Sequence, residues 1–423
     1  MIRSTIRALA CCAVALSALS AAAPALAAGP VCKADDGYAA DFDGRRTFRW
    51  KPQALKAAKA SLADPAVAPA YKALIARADK ALDGPYYAVT EKTRVPPSGD
   101  KHDYISMGPY WWPDPSKPNG EPYIRKDGEF NPERSTNAFD AVRMDNMADA
   151  VEALSLAYYF TDDARYAKKA SELLYVWFLD PDTRMRPHMT YAQGVPGRTP
   201  GRAEGVLDTF RLLRVVESIG LLAPSGAIKP AEQKALEHWF EVYTMWLQKG
   251  ATAKEEQAAQ NNHGIWYDYQ LATFSLFARR PDLAKATIAG AGKTRIDPQI
   301  DPDGKMPKEL ARTRGLHYSY FAIEPLVGMA ELGACVGVDL WGYKGPKGQG
   351  LRAAFDYLAP YVGNEAAFPY KELKPQEATE EALPLYNLAA AAYGDAGFAA
   401  KAEYIAKKDP AAQSRLVIGA YKK

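Results

Sequence analysis

Apolar residues recur at three- and four-residue spacing through residues 145–160, 164–178, 207–222, 231–248, 264–278 and 318–336, with further helical stretches near 350–363, 381–394 and 396–407. That spacing stacks side chains on one face of a 3.6-residue helix, so each stretch predicts a helix with a core-facing side. Asp180-Pro181, Pro224, Gly250, Pro281 and Gly337 mark stops between them. Helices following one another in pairs, with few alternating β-branched runs, predict an all-α fold. Because the pairs continue for most of the chain, an α/α toroid (an incomplete α/α barrel) is expected rather than a four-helix bundle. Such a ring leaves a central cleft at one mouth, formed by helix starts and loops.

Residues 92–134 break the pattern, with many prolines and glycines and the aromatics Tyr104, Tyr110, Trp111, Trp112 and Tyr123. A loop of that length in a compact domain is usually functional. It is read as an aromatic lid loop whose ring faces could stack on a ligand; equally, Trp111 and Trp112 could only staple an irregular excursion to the helices beneath.

Before the first helical stretch lie Arg3 and Arg7, an apolar run from Ala8 to about Ala23, and Ala25-Leu26-Ala27, the small-x-small pattern of a secretory cleavage site. Residues 1–27 are read as a signal peptide and residues 28–423 as a single catalytic domain, secreted or periplasmic. No later stretch reads as long and uncharged enough to span a bilayer, so no membrane insertion is expected. Losing Arg3 and Arg7 takes Lys plus Arg from 53 to 51 against 50 Asp plus Glu, and the net charge from +3 to +1. That balance argues against a nucleic-acid partner, while local arginines in a cleft could still hold an anionic polysaccharide. Cys32 and Cys335 survive processing; a disulfide and two free thiols both remain open.

Two stretches concentrate chemistry at the heads of apolar helices. One is Asn261-Asn262-His263-Gly264-Ile265-Trp266; the other runs from Met306 to Ser319 and contains Glu309, Arg312 and Tyr318. Together they supply amide, imidazole, guanidinium and phenol. Those groups suit β-elimination from a uronic acid sugar, in which the C5 proton is acidic only when the neighbouring carboxylate is neutralised, and a base and an acid act on C5 and on the bridging oxygen. No metal or cofactor is required. His102, His188, His238, His263 and His317 form no metal-ligand spacing.

The Asn-Asn-His-x-x-Trp and Glu-Leu-x-Arg…Tyr motifs, with Ser98-Gly99-Asp100-Lys101-His102-Asp103-Tyr104 and Pro109-Tyr110-Trp111-Trp112-Pro113, resemble the alginate lyase family of polysaccharide lyases. The resemblance covers about residues 90 to 360 and lies in the α/α-toroid group, closer to family 38 than to family 5 in the six-residue step from Arg312 to Tyr318. It implies that Asn262 and His263 face the C6 carboxylate with Arg312 nearby, and that Tyr318 transfers the protons, its pKa lowered by a neighbouring cation.

Each residue also has a bland alternative. Asn261 and Asn262 could cap the helix that follows, Arg312 could pair with Glu309 at i,i+3, and Tyr318 could be a core tyrosine. His188 and Gln193, in a polar-aromatic loop followed by Arg198 and Arg202, are read as substrate contacts, as are Tyr104, Tyr110, Trp111, Trp112 and Trp266. The chain is therefore expected to cleave a 1,4-linked uronate polymer, alginate at mannuronate, with glucuronan the nearest alternative substrate. The rivals are an α/α-barrel glycoside hydrolase, for which Asp100, Asp103, Asp145 and Glu309 are the available carboxylates, and a non-catalytic uronate-binding protein. Oligomeric state is left open.

Overall fold

A computed structural model describes residues 30–419; the predicted signal peptide lies outside them. In chain order the helices are α1 (Pro52–Ala60), α2 (Ala68–Leu82), α3 (Ala141–Thr161), α4 (Ala164–Leu174), α5 (Leu212–Leu222), α6 (Pro230–Lys249), α7 (Ala251–Ala258), α8 (Asn262–Phe277) and α9 (Pro281–Ala291). They continue as α10 (Asp297–Gln299), α11 (Pro307–Leu310), α12 (Gly315–Val336), α13 (Leu351–Leu358), α14 (Pro375–Glu380), α15 (Leu383–Tyr393), α16 (Ala396–Lys408) and α17 (Ser414–Val417). The four strands, β1 (Ile105–Met107), β2 (Trp111–Trp112), β3 (Ile124–Arg125) and β4 (Tyr191–Gly194), are short.

The fold is an α/α toroid of two layers. Helices α3, α5, α8 and α12 are buried almost all round and form the inner layer, the expected place for helices without a polar face. Helix α3 packs against α2, α4 and α5, and α8 against α5, α6, α9 and α12; α2, α4, α6 and α9 keep an exposed face and form the outer layer. One hydrophobic cluster runs from Cys32 to Val417. Two buried polar side chains of α8 find partners, as burial favours: Asp268 accepts from Arg295 at 2.6 Å and Gln270 from Thr209 at 2.6 Å.

Several boundaries differ from the sequence expectation. Pro281 does not merely stop a helix; it occupies the first turn of α9, where a missing N–H costs nothing. The polar run after Gly250 forms α7. Helix α12 is long and apolar enough to cross a membrane by length and composition, contrary to the sequence reading, yet 78% of that window is buried inside the protein. It is a core helix.

The far end of the ring is closed by the N-terminal arm. Glu217 of α5 accepts from the backbone N–H groups of Phe48, Arg49 and Trp50 at 3.0 to 3.2 Å. Arg46 donates to the carbonyls of Leu276 and Phe277, which end α8, and so satisfies acceptors that a helix terminus leaves open. The open cysteine question resolves as a Cys32–Cys335 disulfide with Cα atoms 4.5 Å apart, tying the arm to the last turn of α12. Helices α8 and α12 both start at the opposite mouth, so the site and the strap lie about 24 Å apart along α8 at 1.5 Å per residue.

Residues 92–134 are more ordered than their composition implies. Strand β1 pairs in parallel with β4, and β2 pairs antiparallel with β3. Both ends of the segment are pinned at depth. Lys92 meets Asp140 at 3.0 Å with both side chains buried. Asp208 accepts from the Tyr104 hydroxyl, the Ser106 hydroxyl and Arg134.

Candidate active site

The two heads of helix converge through one carboxylate. Glu309, buried on α11, accepts the Asn262 backbone N–H and the Asn262 Nδ2, each at 2.7 Å. Burial pushes the Glu309 carboxyl above its usual range, while the two Asn262 bonds pull it back. The cap alternative for the asparagines therefore fails: Asn261 occupies the N-cap position but makes no side-chain cap bond, and the Asn262 amide is turned to Glu309. One Nδ2 hydrogen and Oδ1 stay uncommitted.

His263 follows on the first turn of α8. Its Nδ1 lies 2.6 Å from Oε1 of Glu256, a buried residue of α7, which leaves Nε2 as the free ring nitrogen. Burial works against a charged ring, but the Glu256 charge and hydrogen bond outweigh it, and the His263 pKa is raised above the ordinary imidazole value. The arrangement favours an imidazolium. Sequence reasoning missed Glu256, although its place seven residues before His263, among Lys254, Glu255 and Gln257, gave no signal apart from its charge.

Tyr318, 6% exposed, sits on the first turn of α12. Its hydroxyl is 2.8 Å from that of Tyr110 in the lid, and the Arg312 guanidinium lies 3.8 Å from its ring centroid. The expectation that a cation lowers the Tyr318 pKa needs correction. Burial is the larger effect and raises it, the Tyr110 neighbour raises it further, and Arg312 opposes both without prevailing. Tyr318 therefore holds its proton. Arg312 does not pair with Glu309; it donates from Nη2 to Asp127 at 2.9 Å. Asp127 belongs to the lid and was not singled out in the sequence.

Other predicted contacts divide. Trp111 and Trp112 are half-buried at the lid edge, Trp111 with Arg198 and Arg202 within 6.0 Å of its ring centroid and Trp112 with Lys126 at 5.2 Å. Three assignments are corrected. Trp266 is 1% exposed, packs on Phe210 and Phe321, and donates to the Phe321 carbonyl, so it is a core residue. Tyr104 is 0% exposed with its hydroxyl on Asp208. Gln193 is 5% exposed, with its amide held between Asp208 and Arg202. None of the three can meet a sugar without the structure opening. His188 keeps a part-exposed ring, but Nε2 meets Asp103 at 2.9 Å and Nδ1 accepts the Thr190 N–H, so its nitrogens fasten the loop.

The four carboxylates available to a hydrolase are all engaged: Asp100 with Arg186, Asp103 with His188, Asp145 with Arg211 and Glu309 with Asn262. Among the described residues no group of three or more His, Cys, Asp or Glu is placed to hold a metal ion.

Comparison with known proteins identifies the family and the fold. The family model described as "Alginate lyase" matches residues 88–368. An alginate lyase from Bacteroides ovatus is 39% identical, with a TM-score of 0.85 over 88% of this chain and 99% of that one. A tetrasaccharide complex of alginate lyase A1-III, 16% identical, matches with a TM-score of 0.55 over 85% of this chain and 96% of that one, which speaks for the fold alone. A protein of Stenotrophomonas maltophilia (strain K279a) named "Polysaccharide lyase" is 37% identical over 100 residues, 22% of this chain and 30% of that protein. The chain belongs to the alginate lyase family of polysaccharide lyases.

Proposed function

We propose that this protein cleaves a 1,4-linked uronate polymer by β-elimination, with alginate at mannuronate as substrate. The observation that carries the proposal is the cluster at the helix heads: a buried phenol against a guanidinium, joined through the Glu309–Asn262 bonds to the head of α8, where Glu256 binds the His263 ring and raises its pKa.

His263 and Asn262 neutralise the C6 carboxylate, which lets negative charge accumulate there as the C5 proton leaves. Tyr318 acts as the phenolate: its own proton leaves to bulk water, relayed through the Tyr110 hydroxyl at 2.8 Å, which releases its proton as it takes one, and the phenolate then accepts the C5 proton. The C5–H electrons form a C4=C5 double bond, the bond from C4 to the bridging oxygen breaks, and the proton passes to that oxygen. The products are a chain with a new hydroxyl end and a chain ending in an unsaturated uronate. Arg312 stays protonated and does not carry the proton. Its charge favours the phenolate form of Tyr318 during turnover, and Asp127 holds it in place.

Export through a signal peptide belongs to the same proposal. The Cys32–Cys335 disulfide supports it, since such bonds persist in oxidising compartments. The test is incubation of the mature protein with polymannuronate, polyguluronate, glucuronan and hyaluronan, followed by ultraviolet absorbance of the unsaturated product. Faster cleavage of glucuronan than of polymannuronate would replace the substrate proposed here.

A further inference from the structure

Arg202 was not among the residues assigned a role above, yet its guanidinium is the most elaborately held of those near the lid. Its Nε donates to the Gln193 carbonyl at 3.0 Å and its Nη2 to Gln193 Oε1 at 2.8 Å. Its Nη1 meets the half-buried Glu204 at 2.6 Å. Gln193 is in turn fixed from behind: its Nε2 donates to Asp208 Oδ1 at 2.9 Å and its backbone N–H to Ser106 Oγ at 2.8 Å. It also holds φ at +48°, a left-handed conformation unfavourable for a side chain of this kind. Strain of that sort persists where surrounding structure imposes it, and it clusters at sites where geometry matters.

The direction in which this assembly points is given by its neighbours. The Arg202 guanidinium carbon lies 6.0 Å from the Trp111 ring centroid, and Arg198 reaches the same ring at 5.2 Å. Gly108 lets the ring lie there, since a Cβ at that position would come within 2.6 Å of Trp111 and 3.3 Å of Arg202 Nη2. The positive charge of Arg202 also opposes protonation of the His263 ring, and Glu256 favours the charge on Arg202. The guanidinium thus lies against Trp111 and acts electrostatically on the imidazole. Three of its five N–H donors are spent, one of them on a carboxylate that a ligand carboxylate can replace.

We propose that Arg202, aimed by the buried Asp208–Gln193 pair, binds the carboxylate of a uronate next to the one that loses its C5 proton, with Trp111 stacking on that sugar. The proposal deepens the lyase reading and rests on it for the identity of the reacting sugar. Asp208 and Gln193 act through Arg202 and are positioning residues. Asp208 also fastens Tyr104, Ser106 and Arg134, so the same carboxylate sets the lid and the guanidinium in register.

Steady-state kinetics on polymannuronate, together with calorimetric binding of a mannuronate tetramer in the Tyr318→Phe background, test it. Arg202→Gln is expected to raise KM and the tetramer Kd by about tenfold or more, with kcat within about threefold, because binding to a non-reacting sugar is uniform between ground and transition states. The fall of log kcat/KM with log salt should become shallower by about one ionic contact. Arg202→Lys should restore the salt slope but not the affinity, since a point charge lacks the fork. Gln193→Leu should weaken binding in wild type and add nothing in Arg202→Gln, a coupling that a merely structural role would not give. An unchanged KM and Kd, a loss confined to kcat, or additive effects of the two substitutions would each overturn the proposal. A wild-type protein that binds the tetramer through Arg202 but releases no unsaturated product would sink the lyase reading and leave the carboxylate site standing.

Discussion

The hydroxyls of Tyr110 and Tyr318 lie 2.8 Å apart, although 208 residues separate them in the chain. Residues 92–134 thus reach the phenol to which the proposal assigns proton transfer. Tyr318→Phe removes only one oxygen, so fold and binding should persist while kcat falls by orders of magnitude; retention of more than about a tenth of turnover would remove Tyr318 from its role. Tyr110→Phe should be milder. It removes a neighbour that raises the Tyr318 pKa, so the alkaline rise of kcat/KM attributable to Tyr318 should move to lower pH.

The His263–Glu256 pair sets a second pH dependence. The His263 pKa is raised in the folded protein because Glu256 outweighs burial. Its contribution to stability is therefore fully present below the unfolded value of about 6.5 and is lost as pH rises through the folded value. Neutralisation of the substrate carboxylate should be lost over the same upper window. Glu256→Gln leaves burial dominant, so the His263 titration, followed by NMR, should shift to lower pH, and the alkaline loss of activity should shift with it. An unmoved ring titration would show that Glu256 does not hold the charge.

The lid divides into a fixed and a free part. Ile105–Met107 is paired with Tyr191–Gly194, and Tyr104 is locked to Asp208, so amides there should be protected from hydrogen exchange without ligand. The exposed stretch around residues 114–121 lies beyond these anchors. Its exchange should slow when an oligouronate is added to Tyr318→Phe. Equal protection with and without ligand would make the whole segment static packing.

The strap at the far end is a stability element remote from the chemistry. The Cys32–Cys335 bond closes a loop of 303 residues, for which chain-entropy reasoning gives roughly 6 kcal/mol, against 2–4 typically measured. Cys32→Ser should therefore lower Tm markedly while leaving KM unchanged at temperatures where the protein stays folded. A changed KM would mean that the strap reaches the cleft.

The inner layer was legible in the sequence because burial on all sides leaves long apolar stretches, as in α8 and α12. Helix α9 was not, because a proline reads as a stop when it also serves as a first-turn residue. Short strands such as Trp111–Trp112 carry no periodicity at all. At the site, His263 and Tyr318 stood out as polar groups heading apolar helices. Their partners did not: Asp127 reaches Arg312 across 185 residues, and Glu256 sits in a run of ordinary polar positions. Trp266 shows the converse, since membership of a motif does not fix which side of a helix faces the cleft.

On the proposed mechanism Tyr318 and His263 together drive elimination from a uronate. Initial rates of ultraviolet absorbance gain on polymannuronate, for wild type, Tyr318→Phe and His263→Ala at equal folded concentration, measure it most directly. Unsaturated product from wild type and a kcat lower by about 10² or more in each variant are expected. Wild-type cleavage with no unsaturated product, or a His263→Ala variant altered only in KM, would contradict it.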